Sequence, residues 1–243
     1  MTWNRETAER YDVWAETARG SLVLGLERAF LQKMVAPWPR RKQTLLDIGS
    51  GTGFFTTMFW EAGFEVTALD ASPDMLSRAR ARLGNKAEYR VGVAEHLPFD
   101  DNEFDFTALV TVLEFCDDPA KALAEAGRVS RKGLLLVFLN RWSFYYLSHG
   151  RPRPDRGILS RGRWLSWPAI RRLVNEALDR PVLHARSILP GPSWTWRSWP
   201  GLQTLNGLCL PPWMGAFVAV RVDLGPRSAQ TPLFAWKPQA RPM

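Results

Sequence analysis

The sequence predicts an α/β fold built on a doubly wound, largely parallel sheet, and three features predict it. Short apolar runs alternate with segments of helical spacing from residue 44 to residue 139. Strands of that kind, separated by helices, form a parallel sheet covered on both faces. The first run, Thr44-Leu45-Leu46-Asp47-Ile48, passes into Gly49-Ser50-Gly51-Thr52-Gly53, three alternating glycines before an apolar helical segment. The first two strands also carry acids near their ends, Asp47 and Asp70. Right-handed crossovers then put a ligand crevice at the carboxyl ends of the strands.

Taken in order, Thr2–Trp14 and Ser21–Ala36 read as helices joined at Arg19-Gly20, with Ser21 as a cap. Pro37-Trp38-Pro39 ends the second helix. Strand 44–49, helix 54–62, strand 65–70 and helix 72–83 follow, the last with Ser72 at the cap and Pro73 in the first turn. Strands are expected at 87–93, 104–110 and 133–139, with a helix starting near Pro119. Beyond Asn140 the texture changes. Arg151-Pro152-Arg153-Pro154-Asp155-Arg156-Gly157 reads as a loop. Ser166 is placed to cap a helix over 168–178, and strands are expected at 182–189 and 215–224, the latter rich in β-branched residues. The division is a helical entry segment (1–43), a ligand-binding core (44–140), a second half with covering segments (141–224) and a loose tail (225–243).

At 243 residues the chain is long enough for a sizeable core. No apolar run reaches the roughly 18 residues a membrane span needs, and the polar N-terminus lacks the apolar stretch of a signal peptide. Cys116 and Cys209 form neither a zinc spacing nor a disulfide framework, so a reducing, cytoplasmic setting is expected and no metal site. Residues 1–127 carry 14 Lys and Arg against 20 Asp and Glu, a net −6; residues 128–243 carry 18 against 4, a net +14. The basic half suits nucleic acid, an anionic surface or an acidic substrate, or is simply a solvated face.

The glycine bend lets a ligand approach the backbone closely, and the helix that follows presents N–H groups to an anionic part of it. A dinucleotide fingerprint, G-x-G-x-x-G, needs glycine at 54, where the chain has Phe54. A diphosphate would also be repelled by Asp47, whereas an ammonium or sulfonium is attracted. Asp70, seventeen residues beyond Gly53, is placed to accept two ribose hydroxyls or, alternatively, to cap the helix after it. A ribose, a positive charge and no phosphate together describe S-adenosylmethionine.

From about Tyr11 to Asn140 the chain resembles the class I S-adenosylmethionine-dependent methyltransferases of the methyltransferase type 11 group. The resemblance implies a Rossmann-like, seven-stranded sheet whose last strand inserts antiparallel, with an irregular C-terminal segment over the site. It implies that Gly49, Gly51 and Gly53 cradle the methionine part of the cofactor, with Asp47 toward its ammonium and Asp70 on its ribose. Ala71 and Met75 become the apolar wall for adenine, and Tyr11, from Tyr11-Asp12-Val13-Trp14, closes over the cofactor or packs against Trp14. Val91–Phe99 matches the adenine-edge segment, with the backbone of Ala94 against the ring. The family's usual aspartate is replaced there by Val93, which leaves Glu95 or a backbone carbonyl to take the exocyclic amine. Thr111 follows the fourth strand, where methyl donor and acceptor meet in the family.

Glu114 is the ionisable group nearest that strand end and is a candidate to orient an acceptor or take its proton; its alternative role is to cap backbone N–H groups. His149, near Tyr145 and Tyr146, is the second candidate base, whereas His96 and His184 read as structural. A sulfonium methyl is already activated, so alignment and exclusion of water carry most of the catalysis. Covering segments at 140–163 and 190–213, with Trp194, Trp196 and Trp199, suit a small apolar or aromatic acceptor or merely cover the sheet. An RNA acceptor tracked by the basic half is the alternative substrate. A non-catalytic S-adenosylmethionine-binding scaffold or assembly factor is the alternative class. The sequence leaves the acceptor and the oligomeric state open.

Overall fold

The computed structural model describes residues 5–150, 159, 162–179 and 184–225. Two helices, α1 (Arg5–Glu16) and α2 (Ala18–Val35), precede a seven-stranded sheet. Its strands are β1 (Thr44–Ile48), β2 (Glu65–Asp70), β3 (Ala87–Val91), β4 (Phe104–Val110), β5 (Ser130–Leu139), β6 (His184–Ile188) and β7 (Phe217–Asp223). Between them lie α3 (Phe54–Glu61), α4 (Pro73–Leu83), α5 (Pro119–Val129), α6 (Trp167–Leu178) and a short α7 (Pro200–Asn206). The strand order is β3-β2-β1-β4-β5-β7-β6. Strands β1 to β5 pair in parallel, and β7 inserts antiparallel between β5 and β6. The order reverses between β1 and β4, and a doubly wound sheet opens its crevice at that point.

Both faces of the inner strands β1, β4 and β5 are buried, as near-continuous apolar strands require. Alternate side chains feed two layers. Leu45, Phe106, Ala108, Leu135 and Val137 face α2 and α3, where Trp38 stacks on Phe106 at 4.2 Å. Leu46, Ile48, Leu109, Leu134, Leu136 and Phe138 face α5 and α6. No helix among the described residues is long and apolar enough to cross a membrane.

Several boundaries differ from the sequence reading. The α1–α2 junction falls at Thr17, whose hydroxyl accepts from the Gly20 N–H at 3.0 Å, and not at Arg19-Gly20. Gly20 lies inside α2, where only glycine fits because a Cβ would sit 2.0 Å from the Trp14 carbonyl oxygen. Strand β3 stops at Val91, before Val93, and the Gly92 N–H then donates to the Asp70 carbonyl at 3.1 Å. Strand β5 starts three residues earlier than expected, where Arg131 and Lys132 pair with the buried Asp105. Ser72 caps α4 as expected, its hydroxyl accepting from the Met75 N–H, but Ser166 precedes α6 without a side-chain cap bond. Within 190–214 the chain forms a 3-10 turn at Ser193–Thr195 and α7. The expected start at Thr2, the loop at 151–157 and nearly all of the 225–243 tail lie outside the described residues.

Candidate functional site

The site is built at the carboxyl ends of β1, β2 and β4. Gly49, Gly51 and Gly53 all take positive φ, at 69°, 54° and 81°. Each position needs glycine for a different reason. A Cβ on Gly49 would meet Val112 at 2.6 Å, and one on Gly53 would meet the Cα of Ala79 at 2.9 Å. At Gly51 a Cβ would meet nothing within 4 Å, so the middle of the bend faces open space. Gly53→Ala combines left-handed strain with a clash against α4, and we expect it to lower unfolding free energy by about 3 kcal/mol in urea denaturation.

The bend is held from beneath. The Gly49 and Ser50 N–H groups donate to the Leu69 carbonyl at 2.7 and 3.0 Å, and the Gly51 N–H donates to Asp70 Oδ2 at 2.8 Å. These donors are engaged, so the N–H groups left to an anionic ligand part are those of the first turn of α3, whose Gly53 cap supplies no side-chain bond. Asp70 Oδ1 accepts from the Ser72 N–H at 2.8 Å, which leaves each oxygen of this buried carboxylate a further lone pair. Its helix-side bond is the capping role anticipated as the alternative. Asp47 is 1% exposed and accepts from Thr56 Oγ1 at 2.6 Å. Burial pushes its pKa up to about 7, the Thr56 bond opposes this, and the Asp70 charge adds to it. Burial raises Asp70 as well.

A cavity of about 800 Å³ opens on this bend. The residues present fit an adenosyl compound with a cationic amino acid part. Two neighbouring carboxylates disfavour each other's charge, which a cation relieves. Ser50 and Thr52, on the wall, each bury a hydroxyl oxygen with no partner among the described residues, which leaves both free to bond a polar ligand. Ala71, Met75, Val93, Ala94 and Glu95 line one side, as an adenine pocket demands. Glu95 Oε1 is engaged by the Asp117 N–H at 3.0 Å, tying this wall to the loop after β4. Thr111 lines the cavity with φ 55°, an outlier for a β-branched residue and a form of strain found at functional sites.

Helix α1 covers the opening with Tyr11 and Trp14, whose rings lie 5.7 Å apart and both line the wall, so contact and packing coexist. The helix is latched to α4 by Arg78 to Glu9 (2.8 Å) and Arg82 to Asp12 (3.0 Å); Arg82 also donates to the Thr52 carbonyl.

The far end of the cavity is aromatic: Phe55, Tyr145, Trp196 and Phe217, with Tyr145 and Trp196 at 4.5 Å. Of the three tryptophans expected in the covering segment, Trp196 is buried there, while Trp194 and Trp199 are exposed to solvent. His149 lines the wall, 2.7 Å from the Ser148 hydroxyl and 4.4 Å from the Tyr145 ring.

Thus Tyr11, Asp47, Gly49, Gly51, Asp70, Ala71, Met75, Ala94, Glu95, Thr111 and His149 meet at one cavity. Gly53 shapes the bend from behind the wall. Glu114 stands apart from them: it is 3% exposed, is absent from the wall, and accepts from the Leu139 N–H at 2.6 Å. It ties the end of β5 to the loop after β4, which is the backbone-capping role expected as its alternative. Its burial pushes it up to about 7 without exposing it to an acceptor. The residue that sequence reasoning missed is Glu27 of α2, buried on the wall. Its signal was present, as the acid in the apolar stripe Val23-Glu27-Phe30-Met34.

A doubly wound sheet with an antiparallel seventh strand and this crevice defines an adenosyl-ligand α/β protein. Residues 46–138 match the methyltransferase domain family. Demethylmenaquinone methyltransferase of Renibacterium salmoninarum is 30% identical over 201 residues, 82% of this chain and 77% of that protein. Malonyl-[acyl-carrier protein] O-methyltransferase of Serratia marcescens is 42% identical over 96 residues, 40% of this chain and 37% of that one. The chain spans less than two fifths of the length of several such curated relatives. A Thermotoga maritima S-adenosylmethionine-dependent methyltransferase, described as a possible histamine N-methyltransferase, superposes with TM-score 0.67 at 24% identity, covering 89% of this chain and 95% of its own, and shares the fold. The chain belongs to the class I S-adenosylmethionine-dependent methyltransferases.

Proposed function

We propose that this protein transfers a methyl group from S-adenosylmethionine to a small, largely apolar acceptor held at the aromatic end of the cavity. The observation that carries the reading is that one continuous cavity runs from the acid pair at the glycine bend to the wall of Tyr145, Trp196 and Phe217. The cofactor supplies an activated methyl when bound. Asp47 then neutralises its ammonium, Asp70 holds its ribose, and Ala71, Met75 and Ala94 sandwich its adenine. Tyr11 and Trp14 exclude water above it, and Thr111 fixes the rim where donor and acceptor meet. His149, on the same wall, takes a proton from the acceptor in this reading. The names of two relatives specify acceptors of different polarity, a carrier-bound malonyl group and demethylmenaquinone. The aromatic wall supports the apolar kind.

The basic half and the exposed Trp194 and Trp199 give the RNA reading its one supporting observation. Transfer of labelled methyl to fractionated cell extract, with and without nuclease, separates the two. We expect nuclease-resistant label in the low-mass fraction. Label confined to nuclease-sensitive material would overturn the small-molecule reading, and cofactor binding without turnover on any fraction would favour a scaffold.

A further inference from the structure

Glu27 has no place in the machinery above. Its side chain lines the cavity, it is 9% exposed, and no hydrogen bond or ion pair reaches its carboxylate among the described residues. The other acids near the site each accept at least one hydrogen bond: Asp47 from Thr56, Asp70 from Gly51 and Ser72, and Glu114 from Leu139 through one of its two oxygens. A buried carboxylate without one is costly, and burial alone pushes Glu27 up to about 8.

Neither guanidinium group on the same cavity is bonded to it among the described residues, although the Arg19 charge, like that of Glu27, acts on Tyr145. Arg19 stands eight residues earlier on α2, roughly 12 Å along the helix, and is exposed. Arg10 of α1 points toward Glu6, 4.0 Å away. The part of the cavity wall that Glu27 shares with α1 and the covering turns is aromatic. Its charge acts on both Tyr11 and Tyr145, and these rings continue into Trp14 and Trp196 at 5.7 and 4.5 Å. A carboxylate on a cavity wall that also carries Tyr11, Trp14, Tyr145 and Trp196 is the chemistry that recognises an organic ammonium, by charge and by cation–π attraction. A carboxylic acid acceptor would oppose ionisation of Glu27, and a neutral hydrocarbon would leave the acid unpaired, whereas an ammonium draws it into its charged form.

We propose that Glu27 and the rings around it form the acceptor's recognition site, and that the acceptor carries a basic amine bound as its cation against Glu27. This rests on the methyltransferase reading and narrows its substrate class.

The test is calorimetry, in the presence of S-adenosylhomocysteine, with phenethylamine, 4-phenylbutylamine and their N-methyl derivatives, each against the matching alcohol. We expect at least one amine to bind wild type at least about tenfold more tightly than its alcohol, ~1.4 kcal/mol. Glu27→Gln should bring that ratio near one while leaving the alcohols and S-adenosylhomocysteine unchanged. Glu27→Asp, which withdraws the carboxylate by one methylene, should give an intermediate ratio and serves if the Gln variant does not fold. The proposal is overturned if no amine outbinds its alcohol, or if Glu27→Gln keeps the preference. It is also overturned if the variant loses cofactor affinity, which would assign Glu27 to the cofactor. Failure of wild type to bind S-adenosylhomocysteine would instead sink the methyltransferase reading itself.

Discussion

Asp70→Ala is expected to lower affinity for S-adenosylmethionine at least about 100-fold, ~3 kcal/mol, from a micromolar-range wild type near −8 kcal/mol. Two effects add. The variant removes the acceptor proposed for the ribose hydroxyls, and hydrogen bonds to a charged group are among the stronger ones. It also releases the Gly51 N–H at the centre of the bend and the Ser72 N–H at the start of α4. The second effect is structural, so a lower melting temperature accompanies the loss. Asp70→Asn separates the two, because its single carbonyl oxygen keeps one backbone bond and much of the shape. We expect it to melt closer to wild type yet still bind tenfold or more weakly by calorimetry. Wild-type affinity in Asp70→Ala would remove the ribose from this carboxylate and with it the adenosyl orientation proposed above.

Strands β2 and β4 were legible to the residue because each is a β-branched or apolar run closed by an unmistakable change of character. Where the reading slipped, tertiary contacts overrode local signals. Gly20 looks like a helix breaker, yet it is the one residue that lets α2 pass the Trp14 carbonyl. Ser130-Arg131-Lys132 looks too polar for a strand, but Asp105 on the neighbouring strand neutralises its basic pair. Helix α7 is hidden by the prolines and tryptophans around it, and its packing is fixed by non-local bonds: the Leu189 N–H donates to the Asn206 carbonyl, and Asn206 Nδ2 donates to the Thr195 carbonyl.

The cofactor end of the site was equally readable because its chemistry is local. Glycines, Asp47 and Asp70 fall within 24 residues of one another, on adjacent strands. The acceptor end is not local. It is assembled from α1, α2, the 145–149 turn and the 193–196 turn, and no spacing in the sequence reports that these converge. Glu27 and Glu114 show the consequence. Glu114 lies beside the expected reaction centre in sequence and is turned into the core; Glu27 sits in an ordinary helix and is turned into the cavity.

Affinity for S-adenosylmethionine should fall as pH drops below 7, by about tenfold per unit at the steepest, with Asp47 as the cause. In the empty protein its carboxyl is raised from 3.8 to about 7 by burial and by the Asp70 charge, so it is largely protonated at pH 6. An ammonium seated against it favours the carboxylate and draws the pKa down, so binding expels roughly one proton in this range. The same shift sets the stability of the unliganded fold. For an acid whose folded pKa is raised, the stabilising contribution is complete below 3.8 and is lost as pH rises through about 7. The cofactor therefore stabilises most where the empty site is weakest, above pH 7, and the thermal shift it causes should grow from pH 5.5 to 8. Glu27, pushed up to about 8, and Asp70, also raised, titrate in the same cavity and add to the stability slope of the empty protein. Asp47→Asn isolates the effect on binding: its affinity should be weak and nearly independent of pH. Calorimetry in two buffers of different ionisation enthalpy measures the released proton directly. A wild-type affinity that is level from pH 5.5 to 8, with no proton expelled at pH 6, would mean that the ammonium lies elsewhere and that Asp47 only braces the bend through Thr56.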